Sequence, residues 1–368
     1  MIPIEESNAS PPPILPASTA QTVLVDWFPS GPTDELVIVT SIEDCERIFG
    51  PPHPQSAASY ALHLYFLNGG RTAQVWRIAA AGKEPYLAAL SALASFPPEI
   101  LNLLCLPGAA SLNDTDQSEV YAAAEQLCEA QLAFLLVDIP ESIATVPVML
   151  AWKARQATVL SRNAACYFPR LVMPGPNPRN VANSGAIAGI YARIDRQKGI
   201  WKSPAGTDAG LVGATLAVQV TDADSRLLNS TAINALRRFP NARTLVWGAR
   251  TLAGDGNLSD FKYVPVRRLA LLIEQSLATG TEWASFEVSA EPLWAALRLQ
   301  VGNFLHALFM QGAFQGRSPQ EAYFVKCDAT NNTLSDQEQG RVNILIAFAP
   351  LRPAEFVIVR LQQLTAAP

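Results

Sequence analysis

The chain has 368 residues, beyond the roughly 250–300 at which a single hydrophobic core stops growing, so two domains are expected. Hydrophobic residues make up 49% and charged residues 16%, which excludes a disordered chain and implies much buried surface. The net charge is −5, and no block of lysine and arginine occurs anywhere, which argues against nucleic acid as a main partner. The five cysteines (Cys45, Cys105, Cys128, Cys166, Cys327) are scattered through apolar segments without a C-x-x-C pair, and read as buried thiols in a reducing compartment. The first residues, MIPIEESNASPPPILP, lack a basic region followed by an apolar one. No apolar run reaches membrane-spanning length, so synthesis in the cytoplasm without membrane insertion is expected.

Residues 1–20 read as an arm. Ile2 and Ile4 lie in a short strand-like stretch, and Pro11, Pro12, Pro13 and Pro16 keep the next residues extended. From residue 21 strands and helices alternate. Strands are expected at 22–28, 36–40, 73–78, 101–106, 133–138 and 165–172, with helices at 42–49, 57–67, 84–94, 118–130 and 143–161. Ser41 with Asp44 forms a capping pattern for the first helix, and Gly50 ends it. A helix at 184–196, a strand at 215–220, a helix at 230–238 and a strand at 243–248 follow. This alternation predicts an α/β domain over residues 21–254 with a largely parallel sheet. The polar, glycine-containing stretch 254–259 marks the boundary.

Residues 255–354 predict an α+β domain. In the helix 266–279 the apolar stripe is Val266, Leu269, Ala270, Ile273 and Leu277. Pro292 opens a second helix, whose inward row is Leu293, Leu297, Val301, Leu305 and Phe309. A strand is expected at 322–327. In the strand 341–349, Val342, Ile344, Ile346 and Phe348 face one way, the period of a strand with a covered face. Residues 355–368 read as a separate terminal segment carrying a strand. Its run Phe356, Val357, Ile358, Val359 is unbroken and apolar, as in a strand covered on both faces.

No catalytic, cofactor or metal site is legible. The three histidines, His53, His63 and His306, have no cysteine, histidine or carboxylate at ligand spacing. A hydrolase triad is not readable, because neither G-x-S-x-G nor another nucleophilic serine turn is present. The loop GIWKSPAG offers Lys202 and Ser203 but lacks phosphate-loop spacing, and reads as a structural loop packed on Trp201. Gly185-x-x-x-Gly189 reads as close helix packing. The seven tryptophans read mostly as core, with interface anchoring as the other use.

Five strings stand in fixed order along the chain: GIYARIDRQKGIWKSPAG, RTLVWGARTL, YVPVRRLALLIEQSLATGTEWASFE, EPLWAALRLQVGNFLHALFMQGAFQG and GRVNILIAFAPLRPAEFVIVRLQQL. Together they resemble the sheath protein of contractile phage tails and phage-tail-like injection systems, over about residues 20–361. The resemblance implies a subtilisin-like topology for the middle domain, without conferring protease activity. It implies a structural, non-enzymatic subunit that forms stacked hexameric rings around an inner tube and contracts, with baseplate and tail-terminator or cap proteins as further partners and no cofactor. Arms at both ends would complete sheets in neighbouring subunits, which makes Ile2, Ile4, Phe356, Ile358, Val359 and Leu361 the candidate linking residues. Arg267, Arg268 and Arg298 are the candidate contacts to the tube. The product would be assembled in the cytoplasm and carried in a phage tail or a released particle. The lack of large inserted domains points to the injection-system or pyocin-like type. Two other readings stay open: a sheath paralogue forming a single ring near the baseplate, and a cytosolic α/β enzyme with an unrecognised site.

Overall fold

The structure, a computed structural model, describes residues 12–155, 161–239, 243–253, 260–351 and 357–365. The chain divides into two compact units, Ser18–Leu271 and the combination of Met1–Ala17 with Leu272–Pro368. The stretch 254–259, at which the sequence places a domain boundary, lies outside the described residues.

The larger unit begins with strands β1 (Thr22–Trp27) and β2 (Leu36–Val39) and helices α1 (Ile42–Phe49) and α2 (Ala57–Leu67). It continues through β3 (Ala73–Ile78), α3 (Lys83–Leu93), β4 (Leu103–Cys105), α4 (Asp114–Ala130), β5 (Phe134–Val137) and α5 (Val146–Arg155). Then come β6 (Ala164–Phe168), β7 (Leu171–Met173), β8 (Arg179–Val181) and α6 (Ser184–Lys198). The unit ends with β9 (Gly210–Leu211), β10 (Thr215–Leu216), α7 (Asp222–Ser230), β11 (Asn234–Arg238), β12 (Thr244–Val246) and the start of α8 (Val264–Gly280).

Among the described residues, nine of these strands form one sheet in the order β2-β3-β1-β4-β5-β6-β11-β12-β9. The six from β3 to β11 run parallel, and the outer strands β2, β12 and β9 are antiparallel to their neighbours. Side chains alternate between two cores, as the strand period requires. Val23, Val25, Leu104, Leu135, Val137 and Cys166 pack with residues of α3, α4 and α5. Leu24, Leu103, Cys105, Phe134, Leu136 and Tyr167 pack on the other face with α1, α2 and α6. With both faces covered, β4, β5 and β6 are buried at every position, the pattern of a parallel sheet between helix layers.

Two local expectations give way. Where a helix was expected at 230–238, only Ser230 is helical, as the last residue of α7; a turn and strand β11 follow. The helix sits earlier because Thr221 and Asp224 form a reciprocal capping box at its start. After α7, Ala232 takes φ 62°, and residues 234–238 are drawn into the sheet between β6 and β12, so tertiary pairing overrides helix preference. The expected strand 165–172 is two strands, β6 and β7, separated by Pro169, whose peptide bond to Phe168 is cis.

The smaller unit contains the end of α8, then α9 (Glu291–Met310), α10 (Pro319–Ala322), β13 (Tyr323–Lys326), α11 (Leu334–Glu338), β14 (Arg341–Phe348) and β15 (Val357–Leu364). β13, β14 and β15 form an antiparallel sheet in that order. In β14, Val342, Ile344, Ile346 and Phe348 are all buried, on the face the sequence assigned them. Leu293, Leu297, Val301 and Leu305 of α9 are buried, while Phe309 is half-buried and its neighbour Leu308 is buried.

Candidate assembly surfaces

β15 closes the smaller unit's sheet. It pairs with β14 over eight residues, from Val357 opposite Phe348 to Leu364 opposite Arg341, and β14 is its only strand neighbour among the described residues. Among the described residues no strand pairs with its other edge. Burial along β15 alternates: Val357 and Val359 are buried, whereas Ile358 is 45% exposed. This corrects the expectation of a strand covered on both faces, because only one face meets the unit's core. On the outer face the register aligns Phe324 of β13, Ala347 of β14 and Ile358 of β15 in one cross-strand row, with Phe324 and Ile358 both exposed.

The sheet is braced by side-chain amides. Asn332 accepts from the Asn343 amide N–H at 2.6 Å and donates to the Asn343 carbonyl, as Asn331 also does. Gln362 on β15 donates to the Asn343 side chain at 2.9 Å. A neutral network of this kind fixes strand register without placing charge in the sheet.

Of the linking candidates, Ile2, Ile4 and Phe356 lie outside the described residues. Ile358 faces outward, Val359 points into the core opposite Ile346, and Leu361 is half-buried. Two of the three tube-contact candidates are buried inside the subunit. Arg267 and Arg268 are only 2% and 3% exposed. Arg268 makes a two-point ion pair with Asp195 at 2.6 and 3.0 Å, donates to the Thr19 carbonyl and stacks over the Tyr191 ring. Arg267 donates to Asn163 at 2.6 Å and lies over the Phe261 ring. Both guanidinium groups are fully engaged inside the subunit, so they are structural and not presented to a tube. The reason is that α8 is buried around most of its circumference, polar positions included. Arg298 is partly exposed, bonded to the Cys327 carbonyl and to Glu291.

The larger unit also holds two buried carboxylates that the sequence did not single out. Asp26, at the carboxyl end of β1, accepts from Trp27 N–H, Tyr86 O–H and Gly108 N–H at 2.7–2.8 Å. Gly108 has to be glycine there, since a Cβ would sit 2.4 Å from Asp26 Oδ1. Burial pushes the Asp26 pKa up to about 6, against the opposing pull of these donors, with neighbouring Asp138 adding to the rise. Asp138 follows β5 and accepts from the Asn183 and Ser184 amides at the start of α6; burial raises its pKa as well. Both groups are almost without solvent contact and link elements within the core. A buried aspartate inside an apolar strand run is the signal that marks them.

The histidines stay apart. His53 packs edge-on to Trp27, His63 lies on α2, and His306 is 3.2 Å from the Tyr323 hydroxyl. Lys202 pairs with Asp208 at 3.4 Å, and Trp201 packs against Gly199. Gly185 and Gly189 of α6 lie against α2 so closely that a Cβ would fall 2.0 Å from the Ala61 carbonyl oxygen and 2.3 Å from that of Tyr65. The pair therefore serves close helix packing. No group of three or more His, Cys, Asp or Glu among the described residues could hold a metal ion, and none of their helices is long and apolar enough to cross a membrane.

A largely parallel α/β body with a separate antiparallel carboxy-terminal sheet is the architecture of sheath proteins. Residues 79–252 match the family described as phage tail sheath protein central domain, and residues 257–363 match the phage tail sheath C-terminal domain. The chain belongs to the contractile tail sheath family. It is 27% identical to the sheath of an extracellular contractile injection system, PVC, in its contracted state, with TM-score 0.80 over 99% of this chain and 97% of that one. It is 29% identical to the anti-feeding prophage helical sheath in the contracted state, with TM-score 0.78 over 99% and 98% of the two chains. A prophage major tail sheath protein of Pseudomonas aeruginosa is 26% identical over 69% of this chain and 62% of its own length. The match to the tail sheath protein of Enterobacteria phage T4, at 25% identity, covers 46% of this chain and a quarter (25%) of that protein. The matched region thus falls short of two thirds of these curated relatives' length.

Proposed function

We propose that this chain is the structural sheath subunit of a contractile, phage-tail-like injection particle. It polymerises helically around an inner tube and contracts to drive the tube through a target envelope. The observation that carries the reading is the near end-to-end likeness to two contracted-state sheaths of injection systems. In this reading hexameric rings stack on a baseplate and end at a cap protein, and the extended sheath is a metastable assembly whose subunits repack cooperatively. The free energy is stored at assembly, so the subunit needs no cofactor or catalytic chemistry, and the particle acts outside the cell that made it. The open edge of β15, with the arm carrying Ile2 and Ile4, links neighbours by strand addition while the larger units move. Arg298 is the remaining basic candidate for the tube.

Negative-stain electron microscopy of the purified chain, alone and with its genomic neighbours, tests this. Hollow ridged tubes are expected. Discrete soluble particles in both samples would overturn the principal-sheath reading. A second reading, a ring next to the baseplate, is favoured by the 29% identity and TM-score of 0.75 to a chain of the anti-feeding prophage baseplate. Single rings without tubes would select it.

A further inference from the structure

Phe286 is the most exposed large apolar side chain among the described residues, at 85%. It ends the short 3-10 turn Glu282–Phe286 that follows α8. The turn is firmly held: Ala284 is fully buried, Trp283 donates to Gln300 at 3.0 Å, and Glu287 N–H bonds the Ala284 carbonyl. The ring is thus presented to solvent by an anchored backbone. Glu282 and Glu287 flank it, both exposed and neither in an ion pair among the described residues.

The larger unit carries a pocket whose rim charge is opposite to that of Glu282 and Glu287. It opens to the surface, has a volume of about 270 Å³, and is lined mostly by polar residues, among them Arg71 and Arg196, with Tyr65, Ala20 and Ala192 as its apolar part. Tyr65 is held against the wall by its hydroxyl, which donates to the Thr72 carbonyl at 2.6 Å. Asp195 is the one carboxylate in the lining, and it is neutralised by Arg268. Arg71 and Arg196 are exposed and have no carboxylate partner among the described residues. Arg193 stands close by, its pKa lowered first by burial and then by Arg243 and Arg196. Positive charge is therefore in local excess on a chain whose net charge is −5.

We propose that this pocket receives Phe286 of a second copy of the chain, with Glu287 of that copy meeting Arg71 and Arg196. An aromatic anchor entering a pocket ringed by arginine is hot-spot chemistry, and the charges at its rim fix orientation. The two surfaces differ, so the contact is head-to-tail and propagates into an open array when the rotation does not close. The inference deepens the self-assembly reading and rests on it in taking a second copy as the occupant.

Mixed cross-linking of full-length chains tests it. One chain carries Ser285→Cys and the other Ser18→Cys, both at exposed positions, while the five native cysteines are buried. A disulfide between the two chains is expected under mild oxidation, with its yield falling about tenfold when Phe286→Ala or Arg196→Glu is added. Glu287→Arg combined with Arg196→Glu restores it. Tubes without the mixed disulfide, or a disulfide indifferent to Phe286→Ala, overturn the contact and leave the sheath reading standing. A disulfide without tubes supports the contact and removes the sheath reading. Neither tubes nor disulfide at any concentration overturns both.

Discussion

The two sheets of this protein are covered in different ways. In the larger unit β4, β5 and β6 are buried along their whole length, because helices lie on both faces. In the smaller unit β15 alternates buried and exposed residues and has one strand neighbour among those described. The first pattern completes a core within one chain. The second leaves, among the described residues, an unpaired strand edge and a partly exposed face. A closed core and an unpaired strand edge thus reside in separate parts of the chain.

The sharpest way to break this contrast is to remove residues 355–368. The truncated chain loses β15, and the expected result is complete loss of tube formation in electron micrographs. The larger unit keeps its own thermal transition by circular dichroism. Long tubes from the truncated chain would refute the linking role of the terminal strand.

Within the larger unit, Arg268→Met tests whether its interior is self-contained. Asp195 would be left buried without its partner, the two side chains being 3% and 5% exposed. A loss of about 3–5 kcal/mol in denaturant titration is expected, and the double variant Arg268→Met with Asp195→Leu recovers much of it.

The next effect concerns pH. Asp26 titrates near 6 in the folded chain against 3.8 as its ordinary value, so the folded state binds this proton more tightly than the unfolded one. Its contribution to stability therefore rises as pH falls through about 6, is complete below 3.8, and is lost above 6. Asp26→Asn removes that slope. The stability difference between wild type and variant should change by about 2 kcal/mol between pH 4 and 7 in urea unfolding. A difference that stays flat would mean that the carboxyl is not held in the interior as described.

The smallest expected effects compare neighbours on β15. Val359→Ala removes a buried side chain and should cost about 2 kcal/mol. Ile358→Ala, on the exposed face, should cost about 0.5 kcal/mol yet weaken assembly, read as a higher critical concentration for tubes. Equal stability losses would show that both faces of the strand are covered.

Much of the fold was legible in the sequence, because strand and helix periods are local properties. The alternation of elements over residues 21–254, the buried row of β14, the stripe of α8 and the close packing at Gly185 and Gly189 follow from spacing alone. The family was legible too, since ordered strings across the chain carry more information than any single motif. What the sequence left undecided depends on neighbours distant along the chain. Residues 234–238 are a strand because β6 and β12 stand on either side of them. Arg267 and Arg268 read as candidate tube contacts, yet Asn163 and Asp195, 104 and 73 residues away, hold them inside. Ile358 and Val359 are both β-branched and apolar, and only the side on which the core lies separates an exposed residue from a buried one. Burial and partnership are set by tertiary packing, which a local period does not encode.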